Sequence, residues 1–231
     1  MADRPILFSA PMVQALLAGR KTQTRRGLTR LLGVGAVTEL GPSDTRGYDW
    51  HFRDRHKRWH DLRDAELLAR LPWQVGDRLW VKETWRTLQK VDCLKPIHLA
   101  EDRSKVTYEA DPENRNPLWA FGKQRVSIHM PRWASRLTLL VTEVRVERLN
   151  DISEADAIDE GALTVDLPTQ GAPTEQGRPP LGQPPSQRFR HLWNSINGPD
   201  AWAANPWVVA VSFTVHARNI DQLAPIAEAA E

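Results

Sequence analysis

Near the start of the chain, Arg20, Lys21, Arg25 and Arg26 crowd into seven residues, with Thr22 and Thr24 between them. A hydroxyl is a weak nucleophile at neutral pH until a base lies beside it, and a lysine of depressed pKa is such a base. Lys21 and Thr24 therefore form a candidate base and nucleophile. They face apart on a regular strand and converge only if the chain still turns at Lys21, which Gly19 permits. The plain alternative is a solvated basic turn leading into a strand. A candidate third member lies far away, in EADAIDEG, which carries Asp156, Asp159 and Glu160. Glu160 directly precedes a helix-stopping glycine, where a carboxylate opposes the helix dipole, and this placement invites a second reason such as pairing with Lys21. The alternative is an acidic, solvated surface helix.

Two further stretches mix aromatic rings with charges. GDRLWVKETW brings Trp80, Lys82, Glu83 and Trp85, and HMPRWASR brings Arg132, Trp133 and Arg136. Interleaved Arg and Trp at strand ends suit a cleft that stacks bases and holds phosphates. Tryptophan in a strand also serves simply as core. His51, His56 and His60 lie in HFRDRHKRWH, the last two at the i, i+4 spacing that holds zinc on a helix. No HExxH pattern accompanies them, and Arg53, Arg55, Lys57 and Arg58 crowd the same segment, so a basic loop is the expectation and no metal or cofactor is assigned.

These residues need elements to position them. SAPMVQALLAG reads as a short helix with Pro11 in its first turn and Gly19 as its stop. VGDRLWVKETW is a turn and a strand, and KVTYEAD is a second strand. SRLTLLVTEVRVERL is the clearest strand, with a phase change suggesting a bulge near Thr142 and Glu143. ISEADAIDEG is a short helix capped by Ser153 and closed by Gly161. SQRFRHLWNSING is a helix with Phe189, Leu192, Trp193 and Ile196 on one face, and NPWVVAVSFTVHA is a last buried strand. Residues 27–72 read as irregular, apart from an amphipathic helical end carrying Leu67, Leu68 and Leu71. Residues 164–187 read as a Pro/Gly/Gln-rich excursion, and the tail beyond Arg218 as peripheral.

The 231 residues suit one domain with insertions or two small ones. With 31 basic against 29 acidic residues the chain is no polycation, so nucleic-acid affinity would come from a local patch. Cys93 is the single cysteine, which excludes an intramolecular disulfide and a multi-cysteine zinc site and fits a reducing cytosol. With no long apolar run, a soluble cytoplasmic protein is expected, in the host cytosol if phage-encoded. Strands with short helices at their edges imply a small β-barrel with helical insertions, α+β or mainly β.

In order along the chain, the helix with GRKTQTRR, GDRLWVKETW, VERLNDISEADAIDEG and NPWVVAVSFTV resemble the ASCH family of the PUA-like superfamily. RPILFSAPMVQALLAGRKTQTRR, SIHMPRWASR and LWNSING resemble the longer phage and prophage ASCH-domain proteins. The resemblance implies a PUA-like β-barrel with short flanking helices over residues 1–218, loop insertions at 27–72 and 164–187, and a peripheral tail at 219–231. It covers nearly all of the chain except those two insertions. The family includes small bacterial amidohydrolases, about half this length, that remove the acetyl group of N4-acetylcytidine. Their GRKTxT turn and following glutamate match Lys21, Thr24 and Glu160, which the resemblance makes catalytic. Arg20, Arg25, Arg26, Trp80, Lys82, Glu83, Arg132, Trp133 and Arg136 are then candidate substrate-binding residues. The implied activity is hydrolysis of an N4-acylated cytidine, free or in RNA, without cofactor. Other relatives bind or cleave RNA, so a nucleic-acid-binding or ribonuclease-like module is the alternative expectation.

Overall fold

The computed structural model describes residues 1–99, 106–112, 122–162 and 183–223. Strand β1 (Asp3–Leu7) leads into helix α1 (Ala10–Leu17), which has proline in its first turn and ends before Gly19 at φ +68°. Strands β2 (Gln23–Gly27), β3 (Arg30–Leu31), β4 (Gly35–Pro42), β5 (Trp50–Asp54) and β6 (Trp59–Leu62) follow, then helix α2 (Asp64–Ala69). Next come β7 (Arg78–Lys82), β8 (Trp85–Arg86), β9 (Thr107–Tyr108) and the long β10 (Thr138–Arg148). Helices α3 (Glu154–Asp159) and α4 (Pro185–Asn197) precede the last strand, β11 (Trp207–His216). The class is α+β with strand predominant. The main hydrogen-bonded order, β1-β7-β10-β11-β2, is open, with β1 and β2 as its ends, so no closed barrel is formed by the described strands. No helix among the described residues is long and apolar enough to cross a membrane.

The chain divides into two compact units. One comprises residues 1–19, 77–140 and 214–231, the other residues 20–76 and 141–213. In the first, β1 runs parallel to β7, with Asp3 opposite Arg78, and β7 pairs antiparallel with the start of β10, Trp80 opposite Thr138. Ile6, Leu79, Val81, Leu137 and Leu139 alternate inward as period-two strands require, and Trp85, Leu99, Met130 and Ala134 form a further buried cluster. Residues 219–223 are built into this unit rather than peripheral. Ile220 is fully buried, and Asn219 Nδ2 donates to the Arg132 and Ser135 carbonyls at 2.9 and 2.6 Å. Residues 224–231 lie outside the described residues.

In the second unit β11 pairs antiparallel with β2, Val211 opposite Thr24. Helix α3 lies against β2 and α4. The segment 27–72 departs from the irregular excursion expected: it holds a four-stranded sheet, β3-β4-β5-β6. Its charges mask the strand signal because they serve a hairpin. Asp54 is buried and accepts from the His56 and Arg58 backbone N–H groups at 2.8 and 3.0 Å, while Lys57 takes the left-handed conformation the turn needs (φ +62°). Only Phe52 and Leu62 mark the inward side of β5 and β6, too few for an alternation to be read.

Smaller differences have local causes. Strand β10 is one 11-residue strand in which both Thr142 and Glu143 are exposed, which accounts for the phase change in its apolar residues. The KVTYEAD strand contracts to β9, paired with β8, and Lys105 lies outside the described residues. Ile196 is 61% exposed, whereas Phe189, Leu192 and Trp193 face inward as the helical period predicts. Most of the 164–187 excursion lies outside the described residues; Pro185–Gln187 open α4.

Candidate functional site

Residues 20–26 of the GRKTQTRR element and all of α3 belong to the second unit. After Gly19 the chain does not enter β2 until Gln23, so Lys21 stands on the approach to the strand. That approach is fixed from both sides. The Thr22 N–H donates to the Asp159 carbonyl at 2.8 Å, and the Thr22 carbonyl accepts from the Phe213 N–H at 2.8 Å. Helix α3 is capped by Ser153, whose hydroxyl accepts from the Asp156 N–H at 3.0 Å, and Glu160 is its C-terminal cap, followed by Gly161 at φ +79°. An orphan carbonyl of the last turn is thus satisfied by the β2 approach, and Glu160 is delivered beside Lys21.

Lys21 and Glu160 meet directly. Lys21 Nζ donates to Glu160 Oε2 at 2.7 Å, to the Glu160 carbonyl at 2.9 Å and to the Gln23 carbonyl at 2.8 Å. Three acceptors match the three N–H bonds of an ammonium. Both residues are buried, Lys21 at 1% and Glu160 at 3% exposure. Burial pushes the Lys21 pKa down; Glu160 pulls it up, Arg26 and Arg25 press it down again, and the net shift is below the ordinary lysine value.

Arg25 fastens the other side of the carboxylate. Its Nη1 lies 3.4 Å from Glu160 Oε1 and donates to Gln23 Oε1 at 2.6 Å. Its Nε donates to Glu147 Oε1 at 2.7 Å, its Nη2 stands 3.3 Å from Asp156 Oδ2, and the Phe189 ring lies against its guanidinium. Burial disfavours the Asp156 charge, but bonds from Ser153, Gln23 and Arg145 and the Arg25 charge bring its pKa down to about 2. Thr24 is buried at 4% exposure on β2, with no side-chain hydrogen bond among the described residues. Arg26 is half-buried and Arg20 exposed.

The remaining expected residues lie in the first unit. Glu83 is buried and gripped by Arg136 through two bonds of 2.9 and 3.0 Å; burial raises its pKa while Arg136 opposes the rise. Arg136 also pairs with Asp111 at 2.7 Å and stacks 3.9 Å from the Tyr108 ring centre. Arg132 binds Asp3 and Asp221 at 2.6 and 2.7 Å. Lys82 Nζ lies 5.3 Å from the Trp80 ring and donates to the Ile128 carbonyl, and Trp133 meets Trp85 edge-on at 6.3 Å. Glu83, Arg136 and Asp111 thus form one ion-pair cluster, and Arg132, Asp3 and Asp221 another.

Sequence reasoning missed Gln23, Arg145 and Glu147 as neighbours of the Lys21–Glu160 pair. A signal existed in Glu143, Arg145 and Glu147, charges of alternating sign at i, i+2 and i+4 of a strand. That spacing puts them on one face of β10, where Arg145 joins Glu143, Glu147 and Asp156. Comparison with protein-family models, curated proteins and solved structures finds no match.

Proposed function

We propose that this chain is an amidohydrolase of the ASCH, PUA-like kind, removing an acyl group from the N4 amine of an N4-acetylcytidine-like substrate. The observation that carries the reading is the buried contact of 2.7 Å between Lys21 Nζ and Glu160 Oε2, bridging 139 residues of sequence. A buried Lys–Glu pair has two states of equal net charge, ammonium with carboxylate and amine with carboxylic acid. Burial brings them closer in energy, and the short contact is the path of the proton between them.

In the second state the pair holds a base and an acid side by side. Lys21 as the amine takes the proton of the Thr24 hydroxyl as its oxygen attacks the acyl carbon. Glu160 as the acid gives its proton to the departing N4 amine as the C–N bond breaks. The acyl group is then on Thr24, the cytidine is free, and the ion pair is restored. The proton then passes back from Lys21 to Glu160, and water repeats the sequence: its oxygen attacks the ester, its proton goes to the Lys21 amine, and Thr24 leaves with the proton of Glu160. A direct route uses the same pair, with water in place of Thr24 as first nucleophile. In it Thr24 only positions the substrate.

Burial also weighs against a basic turn that merely grips phosphates. Of the four cations in that turn only Arg20 is exposed, and Arg25 is committed to Glu147, Asp156 and Glu160. The test is incubation of the purified protein with N4-acetylcytidine, following cytidine by chromatography. Turnover is expected, with Lys21→Ala and Glu160→Gln each reducing it about 100-fold or more. Wild-type turnover by Thr24→Val selects the water route. No turnover by wild type, together with salt-sensitive RNA binding, transfers the conclusion to the nucleic-acid-binding module.

A further inference from the structure

A cavity in the second unit, away from the Lys21–Glu160 pair, has a different chemistry. It measures about 460 Å³ and is walled by Gly27, Leu28 and Thr29 at the end of β2, by Val37–Leu40 of β4, and by Arg148, Pro206 and Trp207. Its volume lies in the range of small-ligand sites. Its aromatic wall is held rigidly. Trp207 Nε1 donates to the Leu40 carbonyl at 2.7 Å, and the Trp50 ring meets the Trp207 ring edge-on at 4.9 Å. Trp50 is in turn fixed by a 3.0 Å bond from its Nε1 to Asp64 Oδ1.

Arg148 lies over the Trp207 ring, its guanidinium carbon 4.3 Å from the ring centre. Its Nη1 donates to the Asn205 carbonyl at 3.0 Å. Among the described residues no carboxylate pairs with it, and the one acidic wall residue, Glu39, is taken by Arg53 at 2.7 Å. The contrast with Arg25, Arg132, Arg136 and Arg145, each of which meets carboxylates, is sharp. A half-buried guanidinium that keeps free donors and stacks on an indole lacks a counter-charge and offers a planar platform. That combination suits an anion attached to a flat ring.

We infer that this cavity binds a phosphate ester of nucleotide size, its phosphate on the Arg148 fork and its ring against the Arg148–Trp207 stack. Gly27 stands three residues beyond Thr24 on β2, roughly 10 Å along the strand. On the hydrolase reading, on which this last step rests, the phosphate belongs to the substrate, and the enzyme acts on a nucleotide or an RNA strand in preference to a free nucleoside. The binding site itself stands without that reading.

Calorimetric titration of the full chain with cytidine, cytidine 5′-monophosphate, inorganic phosphate and tetracytidylate tests it, with no turnover required. The monophosphate should bind at least tenfold more tightly than cytidine and than inorganic phosphate. Arg148→Ala should remove that advantage, so that the variant binds the monophosphate no more tightly than it binds cytidine. Arg148→Lys keeps the charge without the planar fork and should fall between the two. It also serves as the informative variant if Arg148→Ala fails to fold by circular dichroism. Tighter binding of tetracytidylate assigns the phosphate to a strand, and equal binding assigns it to a mononucleotide. Equal affinity for cytidine and its monophosphate overturns the inference, as does unchanged monophosphate binding by the folded Arg148 variants. A monophosphate no tighter than inorganic phosphate overturns the ring platform. Absent hydrolysis with intact, Arg148-dependent binding sinks the hydrolase and leaves this site standing.

Discussion

At the scale of single residues, the Lys21–Glu160 pair makes stability depend on which partner is removed. Glu160→Gln leaves an ammonium buried without its counter-charge and should cost about 3 kcal/mol near pH 7, measured by urea unfolding. Without the Glu160 carboxylate its upward pull on the Lys21 pKa is lost, while burial and the Arg26 and Arg25 charges still lower the folded value. Between that folded value and the unfolded value near ~10.4 the unfolded chain binds the extra proton. Stability of the variant should therefore rise with pH through that window, and its deficit against wild type should shrink. The double variant Lys21→Met, Glu160→Leu should be less destabilised than Glu160→Gln, because no orphan charge remains. Asp156 acts at the other end of the pH scale. Its folded pKa of about 2 lies below the ordinary aspartate value of 3.8, so its contribution is present above pH 4 and fades as pH falls toward 2. Asp156→Asn should flatten that part of the acid limb, by about 1 kcal/mol after allowance for screening.

At the scale of elements, the site depends on how α3 ends. Gly161 has φ +79°, a conformation that costs a residue with a Cβ roughly 1–2 kcal/mol. Gly161→Ala should cost about that much and shift Glu160 from Lys21, so activity should fall further than stability alone explains. Comparison of turnover with unfolding midpoints separates the two. Ser153→Ala removes the cap at the opposite end and should cost about 1 kcal/mol while leaving turnover per folded molecule unchanged. These features were legible in the sequence, because Ser153 and Gly161 bracket α3 by side-chain and backbone chemistry that acts locally. Lys21, Thr24 and Glu160 were legible as residue types in a resembling order. That Arg25 serves carboxylates was not legible, because its partners Glu147 and Asp156 come from other elements. The β3–β6 sheet escaped for a related reason: His56, Arg58 and His60 look like a solvated run until Asp54 is seen to gather them.

At the scale of the whole molecule, the chain passes between its two units after Gly19, Gly76, Leu140 and Phe213. Neither unit is a continuous piece of sequence, so no simple truncation isolates either. Equilibrium unfolding should show one transition, with far-ultraviolet circular dichroism and tryptophan fluorescence coincident. Two separated transitions would mean that the units fold independently despite these crossings.

The 139-residue separation of Lys21 from Glu160 also sets an order of events during synthesis. At about 5–20 residues per second, Lys21 is made roughly 7–28 s before its carboxylate partner exists. Until Glu147 is made, Arg25 also lacks all three of its carboxylates, Glu147, Asp156 and Glu160, so the nascent turn carries its full positive charge. A ribosome-bound chain halted before Glu147 should therefore present a basic, uncompensated N-terminal segment to the anionic surface around it. Completion of α3 would neutralise that segment and bury it.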